Sequence, residues 1–392
     1  ILKNIYSMDS IKQHKHIIIT GDQVNPLGVL RSIAEGGINP IIIYAFESRF
    51  RKVVISSRYV KKYHKVFSYE EAIDLLIDTY GNECVKPFVY TCDDTIAALI
   101  DLRYDELVDK FFFFNAGRQG KINELLNKQV QCRLAEECGL AIPRQEVVDT
   151  GVLPKTLKYP VLTKTLKSTM GRWKEDYYIC EDEEQLLTAY QSIQSPKLLL
   201  QEYIHKKNEL ELWGYSINGG EQVYLPFQKS YFRLSNESYG GYMYFTPTQN
   251  QELVDKISNL IRRCNYTGCF EVEFLVDKDD SLWFLEVNFR FAMSNYGVTF
   301  GGVNYPLSWA KSVINNRIET NFQLKEYFTA INEAGDFGQS VATRKVSLFQ
   351  WLKDIRSVDM LFYYNPKDPL PAWSFWYYKI NQKIRKKLFK KS

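Results

Sequence analysis

Histidine is scarce. Four residues (His14, His16, His64 and His205) in a chain of 392 are too few for a His-rich metal centre. The seven cysteines are an odd number with no CxxC pair, so neither a disulfide framework nor a zinc site is expected, and reduced thiols of a cytosolic protein are the default. No apolar run reaches the ~18 residues of a transmembrane helix, and the opening ILKNIYSMDS lacks the tripartite pattern of a secretory leader. Because the chain starts at Ile1 rather than Met, a few residues are expected to precede it. No internal repeat or low-complexity tract is visible. A net charge of +4 is too mild to argue for nucleic acid, and no such partner is expected. The GxGxxG pattern is missing as well. Gly21 opens GDQVNPLG, which reads as an ordinary βα turn or as a loop lining a cleft at the strand ends.

What is present is an ordinary globular composition, 45% hydrophobic and 24% charged, with enough length for two or three units. HIIIT at 16–20, a helical pattern with Leu27, Leu30 and Ile33, and PIIIY at 40–44 make a β-loop-α-β opening. Lys65-Val66-Phe67, a helix over 69–80, FVY at 88–90 followed by Thr91-Cys92-Asp93-Asp94, and a strand FFFFN at 111–115 continue the alternation. Residues 1–120 therefore read as an open parallel α/β domain. A single helix over 122–138 stops at Gly139. Strands follow at 159–165, 177–180, 198–201, 210–217, 222–227, 269–276 and 282–288, with helices over 183–193 and 249–264. This is an α+β pattern covering 121–318. Residues 319–392 form an aromatic and basic extension.

The sharpest chemical signal is CFEVEFLVDKDDSLWFLEVNFR at 269–290. Two strands joined by DKDDS each carry an inward acid, Glu273 and Glu286. Strand alternation puts Asn288 and then Arg290 on the face of Glu286. Phe274, Trp283, Phe284, Leu285 and Val287 frame them, and acids in an apolar frame are costly unless a cation pairs them. Two carboxylates and an amide oxygen form a hard-oxygen site suited to Mg²⁺ bridging nucleotide phosphates. Arg290 would then face a γ-phosphate or a developing oxyanion. The plain alternative is the solvated face of a two-stranded sheet.

Three weaker signals precede it. In YPVLTKTLKSTMGRW a strand ends at Lys164 before a Ser/Thr/Gly loop, where a lysine and backbone N–H groups could neutralise phosphate. Lys128 sits in the helix after Asn127. LLLQEYI at 198–204 is a buried strand turning into polar backbone that could receive a purine edge. Each alone has a bland reading: a solvated lysine in two cases, a simple strand end in the third.

In their order along the chain these four pieces resemble the ATP-grasp superfamily of carboxylate–amine ligases, over residues 15–315. The whole-chain pattern is most similar to D-aspartate ligases and surface-polysaccharide-associated members. The resemblance implies a pre-ATP-grasp α/β domain (1–120), an ATP-grasp fold of two α+β subdomains (121–318) and the C-terminal extension (319–392). It implies that Lys128 and Lys164 contact the phosphates of ATP and that the 167–173 loop closes over them. Glu202 and Ile204 would contact adenine, and Glu209 or Glu211 the ribose. Glu273, Glu286 and Asn288 would hold Mg²⁺, with Mn²⁺ as an alternative, and Arg290 would stabilise the acyl-phosphate transition state. Ser294 and Asn295, in the FAMSNYGVTFGG loop, are the candidates for contacting substrate. The loop LKSTMGRW has one glycine, fewer than is common in the family, which weakens the expected phosphate grip.

The expected partners are a small-molecule carboxylate and an amine, with an amino acid added to a cell-envelope precursor or polysaccharide. The end NQKIRKKLFKKS has six basic residues and no acid. Peripheral contact with the inner face of the plasma membrane through 379–392 is the corresponding expectation. The rival readings are a non-catalytic ATP-binding regulator and a membrane-surface scaffold.

Overall fold

The structure is a computed structural model that describes residues 8–21, 24–45, 49–166, 176–234 and 241–389, with backbone only at 8–9, 49–51 and 382–389. Strands His16–Thr20, Ile41–Ala45, Lys62–Val66 and Phe88–Thr91 form a wholly parallel sheet in the order third, second, first, fourth. The isoleucine runs at 17–19 and 41–43 are buried along their whole length, as expected of strands covered on both faces. The direction of winding reverses between the first and fourth strands, and the crevice at such a reversal is where open α/β sheets accept ligands.

The segment 111–115 does not become a full strand. Phe112 makes a single parallel bridge to Phe88, and Asn115 a single antiparallel bridge to Thr267, just before the strand Gly268–Asp277. The single helix expected over 122–138 is two, Lys121–Leu125 and Lys128–Glu137. Asn127 leaves the helical region at φ −77°, ψ 116° and its side chain accepts the Gln129 N–H, so it caps the second helix.

The second sheet has seven strands, in the order Leu282–Asn288, Gly268–Asp277, Lys206–Ile217, Gln222–Arg233, Tyr242–Pro247, Phe328–Ile331, Met360–Leu361. All its pairings are antiparallel except the last. A third sheet runs Gln145–Asp149, Lys197–Glu202, Val161–Lys164, Ile179–Cys180. The Lys128–Glu137 helix docks on the edge strand of the seven-stranded sheet. Gln131 donates to Val287 O at 3.1 Å and accepts the Val287 N–H at 2.7 Å. That pair of bonds occupies an otherwise open strand edge and fixes where the helix start, with Lys128, must lie.

Residues after 319 reach both earlier regions. They supply the last two strands of the seven-stranded sheet, and the Leu370–Phe389 helix packs on the Arg49–Ile55 helix of the first. Val53, Tyr363, Ala372 and Phe375 form the shared apolar cluster.

Candidate active site

Three sheets converge on one cluster. In the hairpin, Glu273 and Glu286 lie directly opposite each other, as do Glu271 and Asn288. A register shift between Glu273 and Phe274 bulges the pairing at this point, and bulges commonly re-aim side chains beside functional sites. Like charges facing across a sheet destabilise it, so a facing acid pair needs cations. Lys128 supplies one, with its Nζ 2.9 Å from Glu286 Oε2. Asn288 Nδ2 donates to Glu273 Oε1 at 2.7 Å and to Glu271 Oε2 at 3.1 Å.

The electrostatics divide the two acids. Burial works to raise Glu286, but Lys128, Lys164 and Arg290 overcome it and hold its carboxyl below the usual range. Among the described residues Glu273 has no ion-pair partner, and Arg290 opposes its rise only weakly. Burial, then Glu286 and Glu211, push it well above the usual range. Lys164 belongs to the same field: loss of solvent and then the Lys128 charge lower it to about 8, against the opposing pull of Glu286. Its Nζ donates to Gln201 Oε1 at 2.8 Å, so a buried glutamine of the neighbouring strand aims it.

Arg290 reaches back to the parallel sheet. Its Nε is 3.1 Å from Asp94 Oδ1, at the start of the helix that follows Phe88–Thr91. The next residue, Phe291, donates its N–H to Thr91 O at 3.1 Å. The crevice at the strand-order reversal therefore opens onto the arginine end of the hairpin.

Glu209 and Glu211 share a face of Lys206–Ile217, opposite Leu275 and Glu273. Glu211 is locked in place, ion-paired to Lys229 Nζ at 2.5 Å and accepting the Tyr231 hydroxyl proton. Glu209 pairs with Lys206, nearer the surface. Glu202 ends its strand, with its N–H bonded to Arg144 O at 2.8 Å, and Ile204 follows in the coil before Lys206–Ile217. Ser294 Oγ accepts from Lys229 Nζ at 3.1 Å. Asn295 is committed elsewhere: its buried amide donates to Asn25 O at 3.1 Å and Ala292 O at 2.5 Å. A small cleft between Leu27, Gly28, Met293, Ser294 and Phe362 adjoins this corner. The 167–173 loop lies outside the described residues, save for the Lys128 N–H bond to Leu166 O just before it.

Lys229, Glu271, Gln201 and Asp94 were not among the sequence candidates. Lys229 is only 2% exposed, with its ammonium over the Trp213 and Tyr231 rings at 5.0 and 4.6 Å. A lysine inside the alternating run QVYLPFQKSYFR was the one available hint. Glu271 is buried against Glu211 and Asn288, and burial and then Glu211 raise its carboxyl well above the usual range.

Among the described residues no group of three or more His, Cys, Asp or Glu side chains is disposed as a metal cage. Glu273, Glu286 and Asn288 are instead an incomplete oxygen set, and Mg²⁺ is commonly held by one or two carboxylates plus substrate phosphates. The facing acids, of which Glu273 has no ion-pair partner among the described residues, fit that role.

A parallel α/β sheet followed by two mainly antiparallel sheets that close on a lysine- and acid-lined cleft is the arrangement of the ATP-grasp fold. In sequence the chain is similar to the D-aspartate ligase of Enterococcus faecium (strain Aus0004), 24% identical over an alignment of 327 residues, with 76% of this chain and 76% of that one covered. In structure it is similar to the L-amino acid ligase from Bacillus licheniformis, with a TM-score of 0.59, 14% identity and coverage of 81% of this chain and 79% of that one. It also resembles the biotin carboxylase domain of Hydrogenobacter thermophilus 2-oxoglutarate carboxylase, solved with MgADP and bicarbonate. There the TM-score is 0.60 at 18% identity, over 80% of this chain and 73% of that one. No protein-family profile matches the chain.

Proposed function

We propose that the protein is an ATP-dependent ligase that joins a carboxylate to an amine through an acyl phosphate. The observation that carries this reading is the facing Glu273–Glu286 pair with Lys128, Lys164 and Arg290 around it. Lys128 and Lys164 hold the phosphates of ATP, Glu202 and Ile204 border the adenine, and Glu209, the less encumbered of the two acids, takes the ribose. Glu273, Glu286 and Asn288 would hold Mg²⁺, which when bound offsets phosphate charge. A substrate carboxylate oxygen attacks the γ-phosphorus as its bond to ADP breaks, and Arg290 stabilises the charge on the transferring group. The amine then attacks the acyl carbon and phosphate leaves. Most of the catalysis is positioning. Similarity to D-aspartate ligase supports an amino acid as one substrate, with a cell-envelope precursor as the other.

ADP release separates this from the regulator reading. With MgATP and a panel of D- and L-amino acids and cell-wall precursors, turnover is expected only when both a carboxylate and an amine are present. Tight ATP binding without turnover on any pair would favour the regulator.

Lys164 gives a pH signature. With its ammonium lowered to about 8, the free protein loses this charge as pH rises through 8. Phosphate binding favours the charged form, so ATP uptake above pH 8 carries a proton with it and weakens. A fall in ATP affinity of up to about tenfold per pH unit is expected over the unit or so above 8. Lys164→Gln should bind more weakly throughout and lose that slope. An unchanged slope, read by calorimetry, would remove Lys164 from the phosphate site.

A further inference from the structure

The Leu370–Phe389 helix has two faces of opposite character. Ala372 and Phe375 are buried against Val53 and Tyr363. On the other side Leu370, Trp373, Tyr377 and Ile380 follow one another at steps of three, four and three, the spacing of a single helix face. Trp373 is 67% and Tyr377 71% exposed, with Leu370 and Ile380 more than half exposed. A second patch belongs to the preceding helix, Leu348–Ser357, where Leu348 and Phe349 are exposed. Phe337 sits between the two helices, edge-on to Trp351 of one and to Trp376 of the other. An apolar aromatic surface of this kind marks an interaction site rather than scattered exposure.

Charge identifies the occupant. The helix backbone continues to Phe389, and from Asn381 onward the sequence carries six cations and no acid. A tryptophan and a tyrosine beside leucine and isoleucine, followed by cations, match the headgroup region of an anionic bilayer, where amphipathic rings settle and basic residues gain from the negative surface. Among the described residues no helix is long and apolar enough to cross a membrane, so the contact would lie in the surface plane. The first residues of the stripe precede the 379–392 tail and are set by the fold: Phe375 and Ala372 anchor the buried side, which fixes the outward direction of Trp373 and Tyr377.

We propose that the Leu370–Ile380 face docks this protein onto an anionic phospholipid surface. The test is co-sedimentation of the full chain with phosphatidylcholine vesicles and with vesicles containing phosphatidylglycerol, at low and high salt, beside Trp373→Ser/Tyr377→Ser and Trp373→Phe/Tyr377→Phe. The expected result is salt-sensitive pelleting with the anionic vesicles only. The serine variant should lose about tenfold in partitioning and the phenylalanine variant should keep most of it, with ATP affinity the same in all three. No pelleting of the full chain, equal pelleting of the serine variant, or pelleting that ignores lipid charge would overturn the proposal. So would lipid-independent dimerisation that the serine variant abolishes.

Discussion

Glu286→Gln is expected to lower MgATP-dependent ADP release by at least about a hundredfold, the scale on which loss of one preorganised electrostatic group acts, while leaving the protein folded. The two halves of that expectation have separate causes. Glu286 carries the low carboxyl of the facing pair, so it is the acid that remains ionised to meet a divalent ion. Its amide replacement keeps the volume and an oxygen for Lys128, 2.9 Å away, but removes the charge. In the folded protein the same change relieves the repulsion that helps to raise Glu273. A carboxyl raised on folding binds protons the unfolded chain would release. Its contribution to stability is therefore full below the unfolded value and lost as pH rises toward the folded one. In the variant Glu273 should titrate lower and that loss should shrink, but the low carboxyl of Glu286 also marks a charge that stabilises the fold through Lys128 and Lys164, so its removal should lower thermal stability at neutral pH on balance. A hundredfold loss of turnover in a variant that still unfolds cooperatively and still binds ATP would mark a site residue. Retained turnover would remove Glu286 from the metal set.

The hairpin was legible because its acids interrupt an apolar frame: a charge between Phe274 and Val287 has no reason to be there unless something pairs it. The strand expected at 282–288 is the strand found, Leu282–Asn288. What was hidden came from elsewhere in the chain. Lys229 meets Glu211 only because two strands pair with Lys229 opposite Glu211, and no local pattern reports a cross-strand partner. The break at Asn127 was masked by apolar spacing that runs on through Leu125, Leu126 and Val130, so periodicity alone favoured one helix. FFFFN has strong strand character, yet only Phe112 finds a partner along the sheet. Phe328–Ile331 and Met360–Leu361 are too short, at four and two residues, to produce a periodic signal. The bidentate grip of Gln131 on Val287 aims the Lys128 helix, yet in the sequence it is an ordinary helical glutamine.

Arg31→Met is expected to cost about 3–5 kcal/mol of unfolding free energy, the penalty for leaving one partner of a buried ion pair behind. Arg31 and Asp368 are both buried, with Nε 3.1 Å from Oδ2. Arg31 also donates to Phe362 O at 2.9 Å, to Tyr363 O at 2.7 Å and to Asp368 O at 3.1 Å. The methionine variant therefore strands a carboxylate and three carbonyls at once. Asp368→Asn should cost less, about 1–3 kcal/mol, because an amide oxygen can still accept from Ser57 Oγ at 2.8 Å or from the Arg58 N–H at 2.9 Å. Arg31→Met/Asp368→Leu should be milder than the sum of the single changes, since it removes the charge together with its partner. Denaturant unfolding of the three variants reads this order directly; additive costs would show that the pair is not coupled. The functional consequence follows from the helix that carries Arg31. On Pro26–Glu35 a Cβ at Gly28 would come within 2.3 Å of Asn295 Oδ1, and Ser32 Oγ bonds Thr299 Oγ1 at 2.7 Å. This helix therefore braces the loop that presents Ser294 to Lys229. Lys128 stands on the helix docked to the seven-stranded sheet, Glu209 on that sheet and Lys164 on the third sheet, away from Pro26–Glu35. In the proposed ligase, Arg31→Met should thus depress turnover more than ATP affinity, and an equal loss of both would mean that the brace acts on the whole cleft.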